Sequence, residues 1–499
     1  MKANDNKETG PADMVLIDPP FGSISGPSIS LPVLVSALRN QGIRVSDIDL
    51  NLWFYRALLT EPNIRAGLAR LENRFVALNR KNSLHFPEIV AYEALVNLLR
   101  KREKYAEALA DLLARPLDPA RIRSADNTGL VGFLLELATI SRFPEVIAFA
   151  PRLRKTDLLS KYASEDLIKA AYQENFYTQI LKEVLHDTLF ALRPAPLVGI
   201  SVSFHDQVFP AFQCARMIKE KWPDTHITLG GSFVSIHLRE IKNPRIFELI
   251  DSLVLDEGEV PLERLFREII SGTRNPVSIP NVVTCHQGKI RPAGQQPHPP
   301  DRLSFTGDYS AFDLNQYLLG PDNVVVPLCL SRGCKWKQCA FCRTDIPVFH
   351  HYCRPQPQAL YAQLETLVRD HGAGTVSFSS AFSEPEVLAY IAGRIVADKL
   401  PVRWVASSRL SGDFTRDLCL LLRDAGCIRL SFGIESFSDR ILRLIRKGIS
   451  AEQIEKVIEG IDGVIPLFLL MMVGIPTETE QEALAGFEKA DEKETVPAP

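Results

Sequence analysis

Residues 323–343 read N-V-V-V-P-L-C-L-S-R-G-C-K-W-K-Q-C-A-F-C-R. The first eight are almost wholly apolar, which predicts a short buried strand. Cys334, Cys339 and Cys342 follow in a C-x4-C-x2-C arrangement. They lie on a loop that leaves the C-terminal end of that strand, the edge where α/β folds place their chemistry. Thiolates this close can converge on one metal centre. A structural zinc site needs four protein ligands and usually recruits a second pair. No matching pair follows here, and three thiolates on a four-iron cluster would leave one iron open. On the triplet alone, zinc and iron–sulfur both remain possible.

Working downstream, strands and helices alternate. Strands are predicted over 374–379, 402–406, 428–432 and 467–473, with helices over 358–370 and 384–398 between the first of them. Such alternation implies parallel βα units. Counting the strand before the cysteine loop, five strands are legible, in a half that runs over 321–490.

Working upstream, residues 13–285 read as a second α/β domain. A strand over 14–17 runs into D-P-P-F-G-S-I-S-G-P-S-I-S, a Gly/Pro/Ser loop. A helix over 31–40, closed by Gly42, and a strand over 43–50 complete a βαβ opening. Strand signals resume at 197–203, 227–229 and 253–255, with a helix over 207–221. Between them, about 60–190 lacks strand signals and has Leu, Ala, Arg, Glu and Lys at helical spacing, as over 91–113 and 130–140. It reads as an all-α insertion broken at Pro116, Pro119 and Pro144. Its alternating charges are those of a solvated helix face. The proline-rich span 286–320 reads as a linker.

Composition narrows the function classes. The 57 basic and 60 acidic residues leave a net charge of -3, which gives no nucleic-acid-binding surface. The longest apolar run, 464–475, has 12 residues and contains Pro466 and Gly474. A bilayer needs about 20, so the run reads as a buried strand, and no membrane association is expected. The polar N-terminus has no signal-peptide core, so a cytoplasmic protein is expected. An odd count of nine cysteines argues against a disulfide framework. Cys214, Cys285, Cys419 and Cys427 read as small buried hydrophobes, and for Cys353, a few residues past the loop, a spare thiol near the site is the less favoured reading.

S-R-G-C-x-W-x-x-C-x-F-C, G-I-E-S-x-S-D-x-I-L-x-x-I-x-K-G and V-G-I-P-T-E-T, in that order, resemble the radical S-adenosylmethionine (SAM) superfamily. The successive S-x-S, G-G-S and E-G-E edges upstream resemble its members with an N-terminal cobalamin-binding domain. The family's loop is C-x3-C-x2-C, so this chain carries one extra residue in the first gap. The resemblance implies a Rossmann-like cobalamin-type domain followed by a partial, TIM-like (β/α) barrel. It implies a [4Fe-4S] cluster on Cys334, Cys339 and Cys342, with Phe341 matching the family's aromatic. SAM would be contacted by Glu384, Arg409, Glu435 and Gly474, and cobalamin by Ser201, Ser203, Gly230, Gly231, Glu257 and Gly258. The D-x-H-x-x-G motif that supplies a cobalt ligand in other cobalamin proteins is absent, and His205 stands outside that context.

The implied activity is reductive SAM cleavage to a 5′-deoxyadenosyl radical. A cobalamin-dependent methyltransferase acting on an unactivated carbon is the leading reading. A radical SAM oxidative cyclase or rearrangement enzyme and a degenerate, non-enzymatic iron–sulfur or zinc protein are the alternatives. The implied partners are a small-molecule or peptide substrate and an electron donor such as flavodoxin or ferredoxin.

Overall fold

The structure, a computed structural model, describes residues 12–23, 26–104, 106, 110, 160–272, 279–294, 303–317, 324–342 and 351–493. The chain divides into two compact units. The first comprises 1–31, 38–295 and 315–320, and the second 32–37, 296–314 and 321–499.

The first unit is built on a seven-stranded sheet in the order β2-β1-β3-β4-β5-β6-β7. Its strands are β1 (Met14–Asp18), β2 (Val45–Asp49), β3 (Leu197–Ser201), β4 (His226–Gly230), β5 (Ser252–Val254), β6 (Val282–His286) and β7 (Lys289–Arg291). The pairings among β1 to β5 are parallel, and β6 and β7 add antiparallel. All five residues of β1, M-V-L-I-D, are buried, as an interior parallel strand covered on both faces requires. The strand order reverses between β1 and β3, so the crevice at the C-terminal ends of those strands is the topological switch point. The span expected as a linker begins inside this sheet: β7 and the second half of the β6–β7 hairpin lie within it. Charged residues at both ends of the K-I-R strand mask its pairing in the sequence.

Helix α1 (Ser30–Arg39) follows β1. Helix α2 (Leu50–Leu58) is capped by Asp49, whose carboxylate accepts from the Leu52 amide at 2.8 Å. The insertion supplies α3 (Glu61–Asn79), α4 (Phe86–Lys104), α5 (Ser164–Tyr172) and α6 (Phe176–Asp187). The helix expected over 91–113 is realised in α4 as far as Lys104. The one expected over 130–140, with Pro116, Pro119 and Pro144, lies outside the described residues. Helices α7 (Val208–Lys221) and α8 (Glu259–Ile270) complete the unit.

The second unit holds five parallel strands in the order β12-β11-β10-β9-β8. They are β8 (Val325–Cys329), β9 (Thr375–Ser379), β10 (Arg403–Arg409), β11 (Cys427–Glu435) and β12 (Leu467–Met471). The connecting helices are α9 (Pro357–Arg369), α10 (Pro385–Asp398), α11 (Arg416–Asp424), α12 (Asp439–Leu444) and α13 (Ala451–Ile461), with α14 (Glu480–Lys493) after β12. Alternation sorts the strand residues onto two faces. Val376, Phe378, Trp404, Phe432 and Leu469 are buried on one. Ser407, Arg429, Phe468 and Leu470 point to the other and are exposed. Strands β10 and β11 run three residues past their expected ends. The polar Ser407, Ser408 and Glu435 interrupt the apolar signal there but not the ladder. Among the described residues, no helix is long and apolar enough to cross a membrane.

Candidate active site

The cysteine loop is held by backbone geometry and by a distant segment. Gly333 has φ +71° and lies against the His351 carbonyl, where any Cβ would collide. Arg332 and Cys353 exchange backbone hydrogen bonds of 2.9 and 3.0 Å, which places Cys353 beside the root of the loop. Lys337, within the longer first gap, takes a left-handed conformation at φ +55°, an uncommon one for a non-glycine residue. From the far side, residues 445–448 grip the loop. The Ala340 amide donates to the Ile445 carbonyl at 2.8 Å, and Trp336 Nε1 to the Arg446 carbonyl at 2.9 Å. The indole of Trp336 lies directly on Gly448, inside the space a Cβ would need. Arg409 stacks on the other side, its guanidinium 4.3 Å from the indole centroid and its Nη2 donating to the Gly448 carbonyl at 2.9 Å.

Two cations face the thiols. Burial pushes the Cys339 thiol up, while Lys447 and Arg409 pull the other way and Cys342 and Cys334 add to the rise. Arg409 Nη1 is buried without a hydrogen-bond partner. Among the described residues, no three His, Cys, Asp or Glu side chains are gathered as a ready site for a single metal ion. A mononuclear site needs every sulfur within about 2.3 Å of one point. A cluster attaches each thiolate to its own iron and accepts a wider triangle. Three thiols on one short loop, with Lys447 and Arg409 beside Cys339, suit that second requirement.

Around this rim stand the other residues singled out from the sequence. Glu435 ends β11 in a left-handed conformation, φ +69°, at a register shift against β12. Such strain in a non-glycine residue clusters at functional sites. It is buried, and Lys447 Nζ donates to its Oε1 at 2.9 Å. The same ammonium lies 5.8 Å from the centre of the Phe341 ring. Glu384 is the N-cap residue of α10, yet its side chain does not cap the helix. It receives Tyr352 Oη at 2.7 Å and Arg354 Nε at 3.0 Å, and pairs with Lys335 of the cysteine loop. Burial would raise its pKa, but these three donors outweigh it and hold the carboxyl below its ordinary range. Gly474 has φ +82°, and its amide donates to Glu478 Oε2 at 2.7 Å, closing the turn after β12.

In the first unit, the six residues named for the second cofactor fall on one sheet edge, at the ends of β3, β4 and β5. Ser201 Oγ meets Ser30 Oγ at 2.9 Å, and the Ser203 amide donates to Gln207 Oε1 at 2.9 Å. Gly230 closes β4. Gly231, at φ +102°, is packed against the Val202 backbone, so its missing side chain serves the protein's own chain. Glu257 is buried, and Gly258 is the N-cap residue of α8. Beside them, sequence reading missed a carboxyl pair. Asp18 and Asp49 are buried at the ends of β1 and β2. Gln207 Nε2 donates to Asp18 at 2.9 Å, and Tyr317 Oη donates to Asp49. Burial, then the Asp49 charge, raises the Asp18 carboxyl well above 3.8.

Lys447, Trp336 and Gly448 were likewise legible only as letters of the motifs; Trp336 meets Arg446 and Gly448 about a hundred residues on, and Lys447 meets Glu435 across the turn that follows β11. Cys214, Cys419 and Cys427 are buried as expected, whereas Cys285 is only half-buried.

Residues 328–488 match the model of the radical SAM superfamily. An uncharacterized methyltransferase of Pyrococcus horikoshii is 26% identical over 302 residues, 58% of this chain and 62% of the relative. An anaerobic magnesium-protoporphyrin IX monomethyl ester cyclase of Rubrivivax gelatinosus is 26% identical over 313 residues, 60% of this chain and 54% of the relative. The chain thus spans about half to three fifths of these curated relatives' length. Among solved structures, the cobalamin-dependent SAM radical enzyme OxsB, with aqua-cobalamin and SAM bound, superposes with a TM-score of 0.51 at 16% identity, covering 62% of this chain and 45% of that one. That likeness is one of fold.

Proposed function

We propose, from the match of residues 328–488 to the radical SAM model, that this chain cleaves SAM reductively and uses the resulting radical for methyl transfer to an unactivated carbon, with cobalamin held by the first unit. The observation that carries the reading is the cysteine loop clamped between Arg409 and the Ile445–Gly448 segment, with Glu435 strained at the same rim. Cys334, Cys339 and Cys342 would hold a [4Fe-4S] cluster, and the edge from Ser201 to Gly258 would face the corrin. Bound there, the cluster would pass one electron from an external donor such as ferredoxin or flavodoxin to SAM, releasing methionine and the 5′-deoxyadenosyl radical, and cobalamin would supply the methyl group.

The chain's own residues do the rest. Arg409 has an unspent N–H beside the thiols for an anionic group of the ligand or for sulfur. Glu435 and Glu384 offer carboxylates to hydroxyl and ammonium groups. Both are charge-paired in this structure, so binding would exchange one cation for another rather than strand a buried charge. Gly474 leaves space open at the end of β12. A radical demands exclusion of water, and the packed Trp336–Arg409 pair closes one side of the rim.

The cyclase-named relatives favour a second reading, oxidative ring closure without methyl transfer. Anaerobic reconstitution followed by methyl-labelled SAM separates the two. Label in product with 5′-deoxyadenosine supports methyl transfer, and 5′-deoxyadenosine alone supports cyclisation. A Cys334/Cys339/Cys342 triple alanine variant that still binds iron and still cleaves SAM overturns both.

A further inference from the structure

The face of the second sheet turned away from its helices has unspent polar groups. Ser377 and Ser379 of β9, Ser407 of β10 and Ser431 of β11 share this face by alternation and register. Among the described residues, none of these four hydroxyls has a hydrogen-bond partner within the protein. One row below, Arg429 pairs in register with Val405, which in turn pairs with Ser377. Its guanidinium lies 5.6 Å from the centre of the Phe468 ring, and it makes no ion pair or hydrogen bond among the described residues. Phe468 and Leu470, on neighbouring β12, are 47% and 44% exposed.

Charge on this face leaves one cation over among the described residues. Of the charged residues of the five strands, Arg403, Arg409 and Glu435 have partners already, and the Arg429 side chain makes no ion pair or hydrogen bond. A guanidinium backed by an aromatic ring, with its N–H groups unspent among the described residues, is a receptor for a carboxylate or phosphate. The serine row adds neutral donors and acceptors, and Phe468 with Leu470 adds an apolar wall. Along β11, Arg429 stands six residues before Glu435, about 20 Å at roughly 3.3 Å per residue.

We propose that this face binds an elongated substrate whose anionic end, a carboxylate or a phosphate, pairs with Arg429, while its other end reaches the rim at Glu435. This names a substrate class for the radical reading above and rests on it. The binding itself is measured without SAM, reductant or turnover, so the two succeed or fail separately.

The test uses the full chain, purified anaerobically, with octanoate, octyl phosphate and octylamine as probes in equilibrium dialysis. The anions should bind and octylamine should not. Tighter octanoate assigns a carboxylate, and tighter octyl phosphate a phosphate. Arg429→Met should weaken the anion at least tenfold, while Arg429→Lys should stay within about threefold of the parent. Because the Arg429 side chain is exposed and makes no ion pair or hydrogen bond among the described residues, both variants should keep the parent's circular dichroism. A second variant, Phe468→Ala, should weaken binding without changing the preference for anions. Equal binding by Arg429→Met, octylamine binding as tightly as octanoate, or no anion binding by the parent would overturn the proposal.

Discussion

Replacing Gly448 by alanine should unseat the cysteine loop. Two costs arise together. Gly448 has φ +66°, a left-handed conformation that costs an L-residue about 1–2 kcal/mol. The new methyl would also overlap the Trp336 ring, so the indole must move. Moving it breaks the Nε1 hydrogen bond to Arg446, worth about 1 kcal/mol, and the stack with Arg409, worth roughly 0.5–1 kcal/mol at a partly exposed site. The total is on the order of 3 kcal/mol, roughly a hundredfold shift toward an open loop. Since Trp336 lies between Cys334 and Cys339, iron and sulfide per chain after anaerobic reconstitution should fall sharply, and tryptophan fluorescence should shift even in metal-free protein. Gly460→Ala is the control. Its site in α13 has nothing within 4 Å of an added Cβ, so it should load normally. If Gly448→Ala matches the parent in both iron content and fluorescence, the clamp is not what positions the loop.

Lys447→Met should cost about 3–5 kcal/mol by leaving the Glu435 carboxylate buried and unpaired. The Glu435→Gln/Lys447→Met double variant should recover part of that in a denaturant titration, and strict additivity would contradict the pairing. The Asp18 carboxyl predicts a pH signature. Because its folded pKa is raised, the native state binds the extra proton, and the stability this group contributes is full below 3.8 and is lost as pH rises toward the folded value. Asp18→Asn, whose Oδ1 still accepts from Gln207, should therefore melt higher than the parent at pH 7 and show a flatter profile between pH 4.5 and 8; a parallel profile would refute it.

Element type was legible wherever burial was one-signed. M-V-L-I announces a parallel strand because both faces need apolar groups there, whereas L-F-L-L-M, read as a wholly buried strand, buries Leu467 and Leu469 and leaves Phe468 and Leu470 exposed. Reading stopped early at Ser407, Ser408 and Glu435, where polar residues continue a ladder because a site needs them. The hairpin strand K-I-R was missed because pairing is a property of its neighbours. Within the site, cysteine spacing and the strand-end positions of Glu435 and Gly474 could be read directly. What Gly448 does could not, because it is decided by Trp336, more than a hundred residues earlier, and the pairing of Lys447 with Glu435 depends on how the chain turns back after β11. Glu384 could be named but not understood, since Lys335, Tyr352 and Arg354 come from two other segments.

Strand β8 sits at one border of its sheet, and Pro327 lies in its middle. Its carbonyl accepts the Tyr309 hydroxyl, so this residue's backbone faces outward, where proline has no N–H to offer. That border is a sealed seam, unable to template another strand. Among the described residues, β12 at the opposite border pairs with β11 alone. Any strand that extends this sheet is therefore expected to add beside β12 and not beside β8, and a proline placed in β12 should hinder such pairing where a change in β8 would not.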